Sequence, residues 1–194
     1  NGQPVNRDAW AMSPLVVNAF YDPMQNEINL PAAHLQEPWF DASADAADNF
    51  GALGALIGHE IGHAFDPMGA QFDAKGVLRN WWTDATKAKF TAATDVLDKQ
   101  MGAYCPAASA PTVCVDPGHT RGENIGDHGG LQMAYTAYHL ALGGKEAPVI
   151  DGFTGDQRFF MAWAQVWRGI SRDEALVDRI KTNEHSPDVV RGQN

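Results

Sequence analysis

Residues 51 to 63 read Gly51-Ala52-Leu53-Gly54-Ala55-Leu56-Ile57-Gly58-His59-Glu60-Ile61-Gly62-His63, and they constrain the fold more than any other stretch. The first eight are small or apolar, the composition of a helix buried through a domain centre. The last five add two imidazoles and a carboxylate, which are costly to bury without partners. At 3.6 residues per turn, positions four apart lie about 40° apart around the axis and one turn up. His59 and His63 can therefore reach one ion, and Glu60 lies beside them, able to reach a metal-bound water without ligating. This is the H-E-x-x-H pattern. Structural helices also produce it, but a buried helix of this composition needs a compensating partner, and a zinc ion, one per chain, supplies it.

A catalytic zinc commonly has three protein ligands and an open position, so a third ligand is expected downstream. Glu123 in Gly122-Glu123-Asn124-Ile125-Gly126-Asp127 is the choice, at the start of a helix on which Asp127 shares its face. Asp127 would accept the second N–H of one ligating imidazole, and Asp66, three past His63, that of the other. Without Glu60 and its histidines, Glu123 and Asp127 would read as an ordinary solvated acidic face at a helix N-terminus. His119 is the rival ligand, four residues before Glu123, but Pro117-Gly118 argues against a helix there. His34, His128 and His139 receive no catalytic role. Trp81, Trp82 and Trp163 are expected in the core, and Trp167 in both core and cleft.

At 194 residues and 44% hydrophobic composition, the chain is read as a single domain over residues 1 to 194. A net charge of -10 repels phosphate backbones, so nucleic acid is not an expected partner. No stretch approaches the ~20 apolar residues of a membrane span. Asn1 opens without Met, and the chain stops just after Arg191, so a larger parent with its own targeting signals is expected. Cys105 and Cys114 flank a loop and are read either as a disulfide or as two free thiols. Paired usage points to a periplasmic or extracellular compartment.

Turn chemistry at 22 to 26 separates two extended runs, 17 to 21 and 27 to 30, as in a β-hairpin. Helical periodicity runs from Ala46 to Phe65 and stops at Pro67, from an N-cap at Thr83 to Met101, from Gly122 to Leu142, and over about 155 to 168 and 172 to 182. The class is α+β, mostly α, with about five helices.

These residues resemble the neprilysin family of zinc endopeptidases, gluzincins with a thermolysin-like zincin catalytic core. The resemblance spans nearly the whole chain. It rests on Val17-Asn18-Ala19-Phe20-Tyr21, on residues 57 to 66 around the two histidines, on Trp81-Trp82, on residues 122 to 130, on Ala164-Gln165-Val166-Trp167, and on His185-Ser186-Pro187 with Arg191. It implies an endopeptidase acting on oligopeptides, with zinc on His59, His63 and Glu123 and with Glu60 as base. It further implies that Asn18 and Ala19 bind the substrate backbone, that His185 donates to the oxyanion, and that Arg191 binds a primed-side carbonyl. On that reading Arg191→Ala raises KM with little change in metal content. The pocket for the apolar residue after the scissile bond would draw on Leu56, Phe40, Val166 and Trp167. A helical N-terminal domain and a C-terminal tail, present in the family, are not in this sequence, and the domain would be a partner. Gly62, Gly126 and His128 depart from the family's usual Thr, Ala and Asn. They are expected to add flexibility at two helices and a spare imidazole near the site. Two rival readings are a noncatalytic zinc-binding or partner-binding module and a folded core active only within the full-length protein.

Overall fold

The computed structural model describes residue 6 and residues 8 to 194. Strands β1 (Phe20–Asp22) and β2 (Glu27–Asn29) pair antiparallel, with Phe20 opposite Asn29 and Asp22 opposite Glu27. Asp22 closes the turn by accepting the backbone N–H groups of Met24 at 2.9 Å and Gln25 at 3.2 Å. The strands are shorter than the sequence suggests, because Val17 to Ala19 approach β1 as irregular chain.

The small, apolar helix is one continuous rod made of α1 (Ala46–Asn49), a π-helical segment (Phe50–Gly54) and α2 (Ala55–Gly62). It ends at Gly62, short of the expected Phe65. Residues 64 and 65 instead make tighter bonds three residues back, to Ile61 and Gly62. Helix α3 (Asp84–Met101) starts on its expected cap, with the Thr83 side chain accepting from the Thr86 N–H.

Helix α4 (Pro117–Leu142) corrects the sequence reading by starting five residues before Gly122. Asp116 caps it through the Gly118 N–H at 2.9 Å. Pro117 stands at the first helical position, where its missing N–H has no intrahelical partner to lose. Pro117-Gly118 therefore opens the helix, and His119 is helical after all. At the far end, Gly143 adopts the left-handed conformation (φ 59°) that stops it. Helices α5 (Gly155–Val166) and α6 (Asp173–Thr182) lie where expected, and the short α7 (Asp188–Arg191) is an addition. The result is the mostly helical α+β architecture read from the sequence.

The contact that sets the site is α2 against α4, backbone against backbone. A Cβ on Gly58 would stand 2.6 Å from the Gly130 carbonyl oxygen, and one on Gly130 would stand 2.4 Å from the His59 nitrogen. One turn along, a Cβ on Gly126 would meet the His59 ring at 2.8 Å. Gly62 and Gly126 are thus close-packing positions and not sources of flexibility, contrary to the expectation above. Around this seam, Ala47, Ala55, Ala134, Tyr138, Phe159 and Trp163 form the largest core cluster. A second joins α3 to α7 through Leu97, Met101 and Val190, with Ile125 of α4 packed against it. Arg158, buried on α5, anchors the start of the rod by donating to Asp45 at 2.7 and 3.0 Å and to the carbonyls of Pro148 and Phe153. Trp163 is buried as expected, whereas Trp81 is 41% exposed and Trp82 half-buried, because both sit in the turn-rich stretch before α3.

Cys105 and Cys114 are joined in a disulfide, which resolves the two readings. It closes the loop that seats Ala107 against Leu176 and Ile180 of α6. Replacing both cysteines by serine is expected to destabilise the chain by about 2 kcal/mol through a less restricted unfolded state. In thermal unfolding that is a Tm lower by about 4–8 °C. An unchanged Tm would show that the loop's packing, and not its closure, carries the stability.

Candidate metal centre

Helix α2 presents His59 and, one turn on at its C-cap, His63, and α4 presents Glu123 to both. The Nε2 atoms of His59 and His63 are 3.0 Å apart. Glu123 places Oε2 3.2 Å from His59 Nε2 and Oε1 3.7 Å from His63 Nε2. The outer nitrogens are both engaged: His59 Nδ1 faces Asp127 Oδ1 at 2.8 Å, and His63 Nδ1 faces Asp66 Oδ2 at 2.7 Å. Asp66 is held in turn by the backbone N–H groups of Met68 and Gly69, both at 2.7 Å. Asp127 receives two hydrogen bonds from buried Arg191, at 2.7 and 2.6 Å, and the Arg191 guanidinium lies 3.6 Å over the Trp167 ring.

This pattern decides what the centre fits. A carboxylate can only accept, so each Nδ1 carries the proton and each neutral ring turns a bare Nε2 inward. Two lone pairs then face each other at 3.0 Å beside a carboxylate. A cation between them resolves the conflict, and two imidazoles with one carboxylate are a ligand set suited to zinc. Without an ion, a proton must serve. Burial works to lower the His59 pKa, but hydrogen bonds to Asp127 and Glu123 outweigh it and raise the value to about 9. Burial likewise opposes, and the contacts with His185 and His59 overcome, a shift that holds Glu123 well below the usual carboxylate range. Burial also opposes the lowering of Asp127, which the Arg191 charge leads.

Glu60 is 5% exposed, and its Oε2 has no hydrogen-bond partner among the described residues. Burial, the largest influence, raises its pKa. His185 sits across the cleft with Nε2 2.9 Å from Glu123 Oε2, and Asn183 Oδ1 accepts both its backbone N–H, at 2.8 Å, and its Nδ1–H, at 3.1 Å. A buried ladder fixes this segment to α4. Ser186 donates to Asn124 Oδ1 at 2.7 Å, and the Asn124 amide donates to Thr120 at 2.9 Å. Sequence reasoning missed Asn124, Ser186 and Asn183 as positioning groups, since an amide or hydroxyl mid-segment has no periodic signature.

The centre opens into a cleft of about 770 Å³. Asn18, Ala19, Leu56, Trp167 and Arg191 line it, as do Trp39 and His34, which were not singled out. Of the residues expected in the apolar pocket, Phe40 and Val166 are not in the lining. Phe40 packs behind it with Leu53 and Leu56, and Val166 packs in the main core. His34 is buried and bonded through Nδ1 to the Asn18 carbonyl at 2.9 Å, so it supports the cleft wall. His119 is exposed at the cleft mouth and does not converge with the other donors, while His128 faces solvent outside the cleft lining. Among the described residues, no helix is long and apolar enough to cross a membrane.

Comparison with known proteins places this geometry. Residues 18–194 match Peptidase family M13. Neprilysin-1 of Caenorhabditis elegans is 43% identical over 97% of this chain and 26% of its own length. Endothelin-converting enzyme 1 of Bos taurus is 40% identical over 96% of this chain and 24% of its own. The crystal structure of the Mycobacterium tuberculosis zinc metalloprotease ZMP1 in complex with inhibitor superposes with a TM-score of 0.93 at 50% identity, covering 98% of this chain and 30% of that one. The chain thus spans about a quarter of the length of the curated relatives it matches. With the match reaching from Asn18 to the last residue and taking in both histidine and carboxylate helices, the chain belongs to peptidase family M13.

Proposed function

We propose that this chain is the catalytic core of a zinc-dependent endopeptidase that hydrolyses peptide bonds of oligopeptides and prefers an apolar residue after the scissile bond. The observation that carries it is the convergence of two bare imidazole nitrogens and the Glu123 carboxylate beside an unpartnered, buried Glu60. His59, His63 and Glu123 would hold the ion. Bound there, zinc would supply a Lewis acid and bring the pKa of its water from 15.7 toward ~7.

The chain's own groups do the rest. Glu60 accepts the water's proton and returns it to the leaving nitrogen, a role helped by a pKa that burial has raised. His185 donates to the developing oxyanion. Because its Nδ1–H is committed to Asn183, it can donate from Nε2 only as the imidazolium. Asn18 and Ala19, at the cleft edge beside β1, offer backbone groups to an extended peptide. Leu56 and Trp167 offer the apolar wall, and Arg191 reaches the cleft from its ion pair with Asp127. Asp66 and Asp127 fix the tautomers and raise the basicity of the ligating rings.

The partner would be the remainder of the parent polypeptide, including a helical domain facing the cleft, and the disulfide supports a periplasmic or extracellular setting. The test is turnover of an internally quenched peptide by this chain and by the longer polypeptide. Chelator should abolish turnover, and added zinc should restore it. Turnover that survives complete zinc removal refutes the reading. Zinc-dependent turnover confined to the longer polypeptide selects the folded-core reading, and none in either selects a binding module.

A further inference from the structure

Among the described residues, three guanidinium groups line the cleft, on Arg121, Arg179 and Arg191, and they are not equally engaged. Arg121 donates from Nε to Asp98 at 2.9 Å and pairs with the same carboxylate through Nη2. Arg191 is committed to Asp127 through two hydrogen bonds and lies over the Trp167 ring. Arg179 makes one contact among the described residues, from Nη2 to Asp188 Oδ1 at 2.8 Å. Its Nε is buried with no hydrogen-bond partner among those residues. The geometry points to Arg179 as a specificity-determining residue that receives a carboxylate of the bound peptide, on the leaving-group side and beyond the apolar residue.

The packing of α6 and α7 sets where that group stands. Leu176 and Ile180 seat α6 on Ala107, and Arg179, in the last turn of the same helix, reaches the cleft. Its partner Asp188 opens α7, the helix that ends on Arg191. A Cβ on Gly192 would lie 3.4 Å from the Asp188 carbonyl oxygen and 3.5 Å from Trp167 Cβ, so Asp188 and Trp167 are neighbours. Arg179 therefore stands at the Trp167 end of the cleft. Trp167 walls the pocket proposed above for the residue after the scissile bond, and the inference rests on that reading. A peptide that continues past this pocket is carried toward Arg179.

The charges around it favour an anion there and disfavour one elsewhere. Glu60, Asp66, Glu123 and Glu184 also line the cleft, and the chain carries a net charge of -10. A carboxylate entering the cleft meets like charge except where an arginine faces it. Arginine offers five N–H donors in a planar fork that matches a carboxylate. Asp188 engages one nitrogen of that fork, and the side chains of Arg179 and Asp188 are both 32% exposed, so a second carboxylate can join at Nη1. A cation in the last turn of a helix also complements the helix dipole. That role is filled by any cation and gives no preference among peptides.

A side-chain carboxylate and a C-terminal one present the same chemistry, and peptide design separates them. Short peptides carry a fluorophore at the N-terminus and end two residues past the apolar one. Those two residues are Gln-Gln or Glu-Glu, each with a free or an amidated C-terminus. Binding is followed by fluorescence anisotropy on the zinc-loaded Glu60→Gln chain, so that no peptide is cut. A carboxylate-bearing peptide is expected to bind about 10-fold tighter than Gln-Gln amide, the scale of a hydrogen bond to a charged group. An advantage confined to the free acids assigns the C-terminal carboxylate, and one confined to Glu-Glu assigns the side chain. Adding Arg179→Gln should bring the ratio close to one while leaving the affinity for Gln-Gln amide as it was, and Arg179→Lys should keep part of the ratio. Asp188→Asn, which frees the guanidinium, should raise it. No binding of any peptide, no advantage for a carboxylate, or an advantage that survives Arg179→Gln overturns the inference. If Arg179→Gln does not fold, Asp188→Asn decides, and a ratio that fails to rise overturns it. A missing ratio beside intact zinc-dependent turnover strikes this inference alone. A ratio that holds where no turnover is found strikes the peptidase reading alone.

Discussion

Glu60→Gln is expected to leave the zinc content of the chain at one tight ion while lowering kcat for a quenched peptide about 10²–10⁴-fold. The amide has nearly the volume of the acid, so the buried site gains neither cavity nor clash. It cannot accept and return a proton. Glu60 Oε2 has no hydrogen-bond partner among the described residues, so the change breaks no hydrogen bond there. The like charge of nearby Glu123 contributes to the raised pKa of Glu60, and removing one of the two charges relieves that repulsion. The Tm should therefore hold or rise slightly while turnover collapses. Metal analysis, thermal unfolding and steady-state kinetics on one preparation check all three. Retained turnover would mean that another group takes the proton.

Asp127→Ala is expected to fail differently, through stability and metal together. Asp127 is buried between His59 and Arg191 and is bonded to both. Its removal leaves the Arg191 guanidinium, itself 6% exposed, without a counter-charge, which costs about 3–5 kcal/mol. It also frees the His59 ring to turn or change tautomer, a loss of about 10–100-fold in metal affinity. Adding Arg191→Met removes the stranded charge, so the double variant should recover most of the stability and none of the affinity. Denaturant unfolding with metal titration distinguishes the two effects, and a double variant no more stable than Asp127→Ala would refute the ion-pair account. The same ion pair revises what Arg191→Ala alone should do. Its loss unseats Asp127 as well as opening the cleft, so metal content should fall along with any rise in KM.

The metal-facing part of the molecule was legible in the sequence because helix geometry is periodic. Spacings of four at 59 and 63 and again at 123 and 127, with Asp66 three past His63, put each set on one helix face, the two histidines called for a third ligand downstream, and the structure brings all five side chains together. Cap chemistry at Thr83 and Gly143 marked helix ends equally well. The failures have physical causes too. Pro117-Gly118 was weighed as a helix breaker when its place just inside an Asp cap makes it a helix starter. The cleft wall was misassigned at Phe40 and Val166 because pocket lining depends on which way a side chain leaves its backbone, and no short-range pattern records that. Ser186 reaches Asn124 across 62 residues and Asn183 holds loop backbone, contacts that carry no periodicity, and the spacing of four between Thr120 and Asn124 falls in a stretch not expected to be helical before Gly122.

The glycine seam between α2 and α4 has a bearing on how this centre could ever be altered. Where helices meet through large side chains, trimming or enlarging one of them shifts the rods by fractions of an ångström and lets ligand spacing drift by small steps. Here Gly58, Gly126 and Gly130 leave nothing to trim, and any atom added at them meets main chain or the His59 ring. The distance from the imidazole pair to Glu123 is therefore written into main-chain contact. Retuning the centre for an ion of another size would have to proceed through the ligands themselves or not at all.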